Sequence, residues 1–304
     1  MQTERAMFDE RRCTLCPRRC GADRKKGKGF CGAGSEIRIA RAAPHMWEEP
    51  CISGTGGSGT IFFSGCALKC VFCQNAEISS GKVGATVSAE RFKEICFELK
   101  DMGVHNISLV TADHYVPYIV PALKDIKGEL GLPIVFNCSG YESREILEML
   151  DGVVDIYLDD LKYHSSELSQ KMAGVPDYFD VAASALDIMI KQCGAPVIED
   201  GIMKRGVIVR NLILPGYRKD SMEIIRYLKD HYGPDDITVS LMSQYTPNGA
   251  DGAPARRITS FEYQSVFKML ENSRFNGYYQ ELSSADSYYT PDFDLEGVLK
   301  SDKL

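Results

Sequence analysis

Six short runs rich in apolar and β-branched residues, at 60–63, 106–111, 133–138, 153–158, 206–213 and 237–242, alternate with amphipathic stretches. No other feature of the 304-residue chain restricts its fold as strongly. The amphipathic stretches read as helices. Ser88 can cap one over 88–102, with Phe92, Ile95, Cys96 and Leu99 on a single face and Gly103 as its stop. Cys96 is then a core thiol. The others fall at 120–130, 143–150, 178–192, 221–231 and 261–271. Apolar strands alternating with such helices specify a parallel sheet covered on its faces. Six units are fewer than the eight of a closed barrel. The expected fold class is therefore α/β, a partial (βα)6 TIM-like barrel of parallel strands. The run 37–42 alternates polar and apolar residues and predicts an edge strand.

In such a fold, function collects at the C-terminal ends of the strands, and here those ends are polar. Directly after the first run, the loop 65–75 carries Cys66, Cys70 and Cys73, with three residues in the first gap and two in the second. Thiolates select iron-sulfur clusters, zinc or Cu(I) over hard cations. A cubane held by three cysteines leaves one iron without a protein ligand, whereas a zinc knuckle wants a fourth Cys or His nearby. The later ends carry Thr111-Ala112-Asp113-His114, then Asn137 with Gly140 and Tyr141, then Asp160-Leu161-Lys162, then Arg210 with Pro215-Gly216, then Ser243-Gln244-Tyr245.

Residues 1–50 have another texture, a small cysteine-rich N-terminal segment ahead of the barrel and its closing segment at 51–304. Cys13, Cys16, Cys20 and Cys31 are spaced like the staple of a poorly packed segment, holding either tetrahedral zinc or a second cluster. Cys51 lacks a neighbour at ligand spacing and reads as a structural thiol. The glycine-rich stretch 53–59 lacks the Gly-Lys-Ser/Thr ending of a phosphate loop and leads into a strand, so it reads as a flexible approach to the cysteine loop. The tyrosine pairs Tyr278-Tyr279 and Tyr288-Tyr289 read as packing of a terminal segment, with closure over a substrate as the alternative.

The composition, 44% hydrophobic and 25% charged, is that of a soluble globular protein. A formal net charge of -7 argues against a surface built mainly for nucleic acid or anionic membrane. No run approaches the roughly 18 apolar residues of a membrane-spanning helix, and Met1 to Arg5 has no signal-peptide character. A cytoplasmic location is expected, and there close-spaced cysteines stay reduced.

A cysteine triplet after the first strand of a six-unit βα chain, with Phe72 between the second and third thiols, resembles the radical S-adenosylmethionine (SAM) superfamily over residues 60 to 250. The resemblance implies a [4Fe-4S] cluster on Cys66, Cys70 and Cys73, with SAM chelating the open iron through its amino and carboxylate groups. It also implies reductive cleavage of SAM to a 5′-deoxyadenosyl radical that abstracts hydrogen from a substrate, and a low-potential electron donor such as flavodoxin or ferredoxin. Within the superfamily, Asp160-Leu161-Lys162, Arg210 with Pro215-Gly216, and Asn137 with its polar turn look like the pyruvate formate-lyase activating enzyme. Its target is a glycyl radical enzyme, so the resemblance extends to a protein substrate of that or another kind. Asn137, Asp160, Lys162 and Arg210 become SAM contacts by this carry-over. Two places depart from the family pattern. Asp113 and His114 stand where the family has Gly-Gly-Glu-Pro for the SAM amino group, and Gln244 lies where the activating enzyme has a His. Both places are taken as further polar contacts to SAM. The alternative reading is an iron-sulfur electron-transfer or metal-binding protein that does not cleave SAM; a SAM-dependent methyl carrier is a third.

Overall fold

The computed structural model describes residues 8–282 and 290–300. Residues 8–36 form turns without helix or strand. In chain order there follow β1 (Ile37–His45), α1 (Pro50–Ser53), β2 (Ser58–Phe63), α2 (Ala76–Ser79), β3 (Ala85–Val87), α3 (Ala89–Asp101), β4 (Ile107–Val110), α4 (Val116–Leu130), β5 (Ile134–Cys138) and α5 (Arg144–Leu150). The chain continues through β6 (Ile156–Asp160), α6 (Ser166–Ala173), α7 (Tyr178–Cys193), β7 (Val197–Glu199), β8 (Ile202–Leu212), α8 (Arg218–His231), β9 (Thr238–Met242), α9 (Ser260–Glu271) and β10 (Gly277–Tyr279).

The sheet order is β10-β9-β8-β6-β5-β4-β2-β1-β3, with β7 paired to β8. The six expected strands are mutually parallel neighbours, and the sheet does not close, so the architecture is the open (βα)6 barrel. Residues of β2, β4 and β5 are buried throughout, as strands sandwiched between a helical layer and an interior must be. One core lies between sheet and helices, and takes in Phe92, Ile95, Cys96 and Leu99 of α3. Val135, Ile156, Leu158 and Ile208 form a second, with Cys51 and Ile52 of α1 packed against them. Each fully buried aliphatic side chain contributes roughly 1.5–3 kcal/mol, which fixes these faces.

Several expectations change in detail. The run 37–42 is not an edge: β3 pairs antiparallel outside Ile37–Ile39, while β1 pairs antiparallel with β2. The fourth strand starts at Ile156, because Val153 and Val154 donate to Leu150 O and close the turn after α5. That shift draws Asp159 and Asp160 into the strand, where successive side chains face opposite sides. The short helix α6, capped by Ser165, was not foreseen. Tyr278 and Tyr279 form β10, a parallel strand added to β9. Tyr288-Tyr289 and Met1 to Arg5 lie outside the described residues. Ser88 does cap α3, accepting from Arg91 N. No helix among the described residues is long and apolar enough to cross a membrane.

Candidate active site

The β2 strand delivers Ser64 and Gly65, and the chain then turns sharply. Gly65 has φ 103°, and a Cβ there would stand 2.4 Å from Cys31 O. Only glycine lets the two backbones meet closely enough for Cys66 N to donate to Cys31 O at 2.9 Å. Arg18 fastens the next turn, donating to Ala67 O, to Leu68 O at 3.3 Å and to Ala173 O at 2.7 Å. Phe72 packs on Tyr163 and Tyr245, and the Tyr163 hydroxyl donates to Cys70 Sγ at 3.1 Å. Cys66, Cys70 and Cys73 are all free thiols. Burial pushes Cys66 up to about 12 and raises Cys70 and Cys73 as well.

The three thiols line one wall of a cavity of about 570 Å³, within the range of small-molecule sites. The register of the parallel strands sets Asn137 beside Leu158 and Asp160 beside Arg210, bringing polar side chains to the same rim. Arg210, 8% exposed, donates through Nε to Asp160 Oδ1 at 2.6 Å, through Nη2 to Asn137 Oδ1 at 2.7 Å and through Nη1 to Glu48 Oε2 at 3.0 Å. Asn137 Nδ2 donates to Glu48 Oε1 at 3.2 Å, and Lys162 Nζ donates to Asp160 Oδ2 at 2.5 Å. Burial alone would raise the Asp160 carboxyl, but the charges of Arg210 and Lys162 outweigh it and hold it low. For Glu48 burial wins over Arg210, and its carboxyl is raised.

The sequence-derived contacts divide into two groups. Asn137, Asp160, Lys162, Arg210 and Gln244 all line the cavity with the cysteine loop. Asp113 and His114 do not reach it. They lie buried in a 3-10 turn, where His114 Nε2 meets Ser64 O at 2.9 Å and Asp113 shares a hydrogen bond with Glu142. Burial holds His114 down to about 4, so it braces the base of the cysteine loop as a neutral ring. Glu48 and Glu49, which lie along the chain in the segment ahead of the barrel, both line the cavity. The signal available was Pro50 at the first position of α1, which marks a helix start but not the direction of the two carboxylates. On the other side of the strands, Cys138, Glu142 and Asp159 gather within 4.8 Å, and burial with the charge of Asp160 raises Asp159 to about 7.

Among the N-terminal cysteines, Cys13 and Cys31 are buried, Cys16 is half-buried and Cys20 is exposed. Cys20 and Cys31 flank Gly29, whose ideal Cβ would lie 3.4 and 3.6 Å from their sulfurs. Burial raises Cys16 to about 11, with the other three thiols close enough to add to the effect. The four thiols therefore lie in one neighbourhood, with no three of their sulfurs within 4.8 Å of one another, and Cys31 O joins the segment to the backbone of Cys66.

An open parallel barrel with three soft, unpaired donors at the end of its first strand defines a class of cluster-binding enzyme. Residues 60–245 match the family model described as the radical SAM superfamily, and the chain belongs to that superfamily. The chain is 30% identical over 271 residues to the uncharacterized protein MJ0674 of Methanocaldococcus jannaschii, covering 85% of this chain and 73% of that one. In fold it is similar to Streptococcus suis SuiB bound to S-adenosylmethionine, at TM-score 0.51 and 15% identity over 72% of this chain, which spans about half (49%) of SuiB. It is also similar to methylornithine synthase, at TM-score 0.50 and 19% identity over 78% of this chain and 73% of that one. Membership carries a [4Fe-4S] cluster, SAM and SAM-dependent radical chemistry. The donor set fits that cofactor: three free thiols line the cavity together with the polar side chains Asn137, Asp160, Lys162 and Gln244.

Proposed function

We propose that this chain is a radical SAM enzyme resembling the pyruvate formate-lyase activating enzyme, whose radical abstracts hydrogen from a substrate such as a glycyl radical enzyme or another protein. Cys66, Cys70 and Cys73 hold the cluster, and a flavodoxin or ferredoxin supplies the electron. The supporting observation is that the thiols and the Asn137–Arg210–Asp160–Lys162 chain of hydrogen bonds face one cavity. Held by Cys66, Cys70 and Cys73, a bound cluster would supply the electron for reductive cleavage of SAM. Lys162, whose charge bears on Cys70, takes the SAM carboxylate in this reading. Asp160 presents carboxylate oxygens to hydroxyl or ammonium groups. Arg210 has three protein partners already, so its role is to fix Asp160, Asn137 and Glu48 in position. Gln244, held by Gln280 at 3.0 Å, adds an amide to the wall. The quartet Cys13, Cys16, Cys20 and Cys31 binds zinc or a second cluster beside the loop.

The anaerobically reconstituted protein with a strong reductant should release 5′-deoxyadenosine, and a variant with Cys66, Cys70 and Cys73 all changed to Ala should release none. Equal product from both overturns the reading, and product from neither favours a cluster protein that does not cleave SAM. Metal retained by the triple variant belongs to the N-terminal quartet, and its zinc or iron-plus-sulfide content names the metal. A variant stripped of all metal removes the quartet from the proposal.

A further inference from the structure

The charged groups lining the cavity, among the described residues, are Glu48, Glu49, Asp160 and Glu281 against Lys162 and Arg210, with His45 held neutral by burial. Their pairing is uneven. Lys162 and Arg210 bind Asp160, and Arg210 also binds Glu48, so two cations are matched by two carboxylates in one closed network. Glu49 stands outside it. It is 8% exposed, shares a hydrogen bond with Ser240 of β9, and its Oε2 has no partner. Burial outweighs the nearby charge of Arg210 and raises the Glu49 carboxyl, so its ionised form, which has no ion pair of its own, is costly here. A cationic ligand would remove that cost.

SAM itself does not answer the need. On the reading above, SAM would be held at the cysteine end, where Lys162 and Asp160 act on Cys70 and Cys73. Glu49 has Arg210, Glu48 and Ser240 as its neighbours, with Tyr278 of β10 also close, whereas the charges that bear on Cys70 and Cys73 are those of Lys162 and Asp160. We propose that the Glu49 end of the cavity receives a positively charged group of the substrate, an ammonium or guanidinium, and that Glu49 is the residue selecting for it. This rests on the radical SAM reading above, in that the cysteine end is reserved for the cofactor.

The test uses full-length reconstituted protein saturated with SAM, titrated with n-butylamine, n-butanol and butyrate and followed by ligand-observed NMR. Butylammonium should bind at least tenfold more tightly than either neutral or anionic analogue. Glu49→Gln should abolish that preference, and Glu49→Asp, which keeps the charge, should retain it. Equal binding of the three probes, no binding of butylammonium, or an undiminished preference in a folded Glu49→Gln protein overturns the inference. A second arm compares an acetylated Gly-Lys-Gly amide with its norleucine counterpart. Tighter binding of the lysine peptide than of butylammonium assigns the charge to a protein substrate, and the reverse assigns it to a free amine. Failure of the underlying reading is seen separately, in a reduced cluster whose EPR spectrum does not respond to SAM; the same titrations without SAM then decide the inference.

Discussion

Replacing Arg210 by Met keeps most of the aliphatic stem but removes three donors from a group that is 8% exposed. Lys162 continues to hold Asp160, so the side chain left stranded is Glu48, buried with only Asn137 as a partner. Breaking a buried ion pair by removing one member costs about 3–5 kcal/mol. An unfolding entropy of about 2.1 cal/mol/K per residue amounts to about 0.64 kcal/mol/K for a chain this long, so Tm should fall by about 5–8 °C. The pH dependence has a definite sign. Burial already raises the Glu48 carboxyl despite Arg210, and losing Arg210 raises it further. A carboxyl raised in the folded state destabilises when ionised and is relieved as pH falls through its folded value. The deficit of Arg210→Met, read by differential scanning calorimetry on anaerobic protein, should therefore be larger at pH 8 than at pH 5. Adding Glu48→Gln should recover at least half of it at pH 8. A deficit under about 1 °C, or one that is the same at both pH values and unrelieved by Glu48→Gln, would refute the charge-network account.

Two further outcomes follow from local geometry. Gly65→Ala forces a Cβ onto Cys31 O and an L residue to φ 103°, at a cost of about 1–3 kcal/mol for the backbone alone; iron per chain after reconstitution should drop, and full loading with an unchanged Tm would contradict it. Glu262 accepts from Arg256, from Thr259 in a capping box and from Gly216 N at 2.6 Å, with Arg256 chief among the causes that hold its carboxyl well below the usual range. Its contribution is present above the unfolded carboxyl value and lost as pH falls through the folded one. Glu262→Gln should thus lower Tm by a few degrees at pH 7, with the gap narrowing below pH 5; a constant gap across that range would assign the effect to packing instead.

The strand-helix alternation was legible because burial on both faces of a parallel strand writes itself as a short apolar run, and a cap such as Ser88 lies within a few residues of what it caps. The cysteine loop was legible for the same reason: its three ligands and the strand that delivers them are contiguous. Asp113 and His114 show the limit of that reading. They occupy the right place along the chain after β4, but in the 3-10 turn both side chains are buried, His114 against Ser64 O and Asp113 against Glu142, away from the cavity. Nothing in the local pattern distinguishes the two directions.

By itself, the sequence determined the class of fold, the cluster-binding loop and the rim on which polar side chains collect, all of them set by residues near one another along the chain. Only the tertiary structure decided what those side chains do to one another. Glu48 reaches Asn137 across 89 residues and Arg210 across 162, and Arg210 reaches Asn137 across 73. Two cations and two carboxylates are thereby spent on each other, and Glu49 is left beside the cavity without an ion pair and with Oε2 unpartnered. Electrostatic pairing depends on distance through space, and that distance exists only once the sheet has curled and brought its strand ends around a common opening.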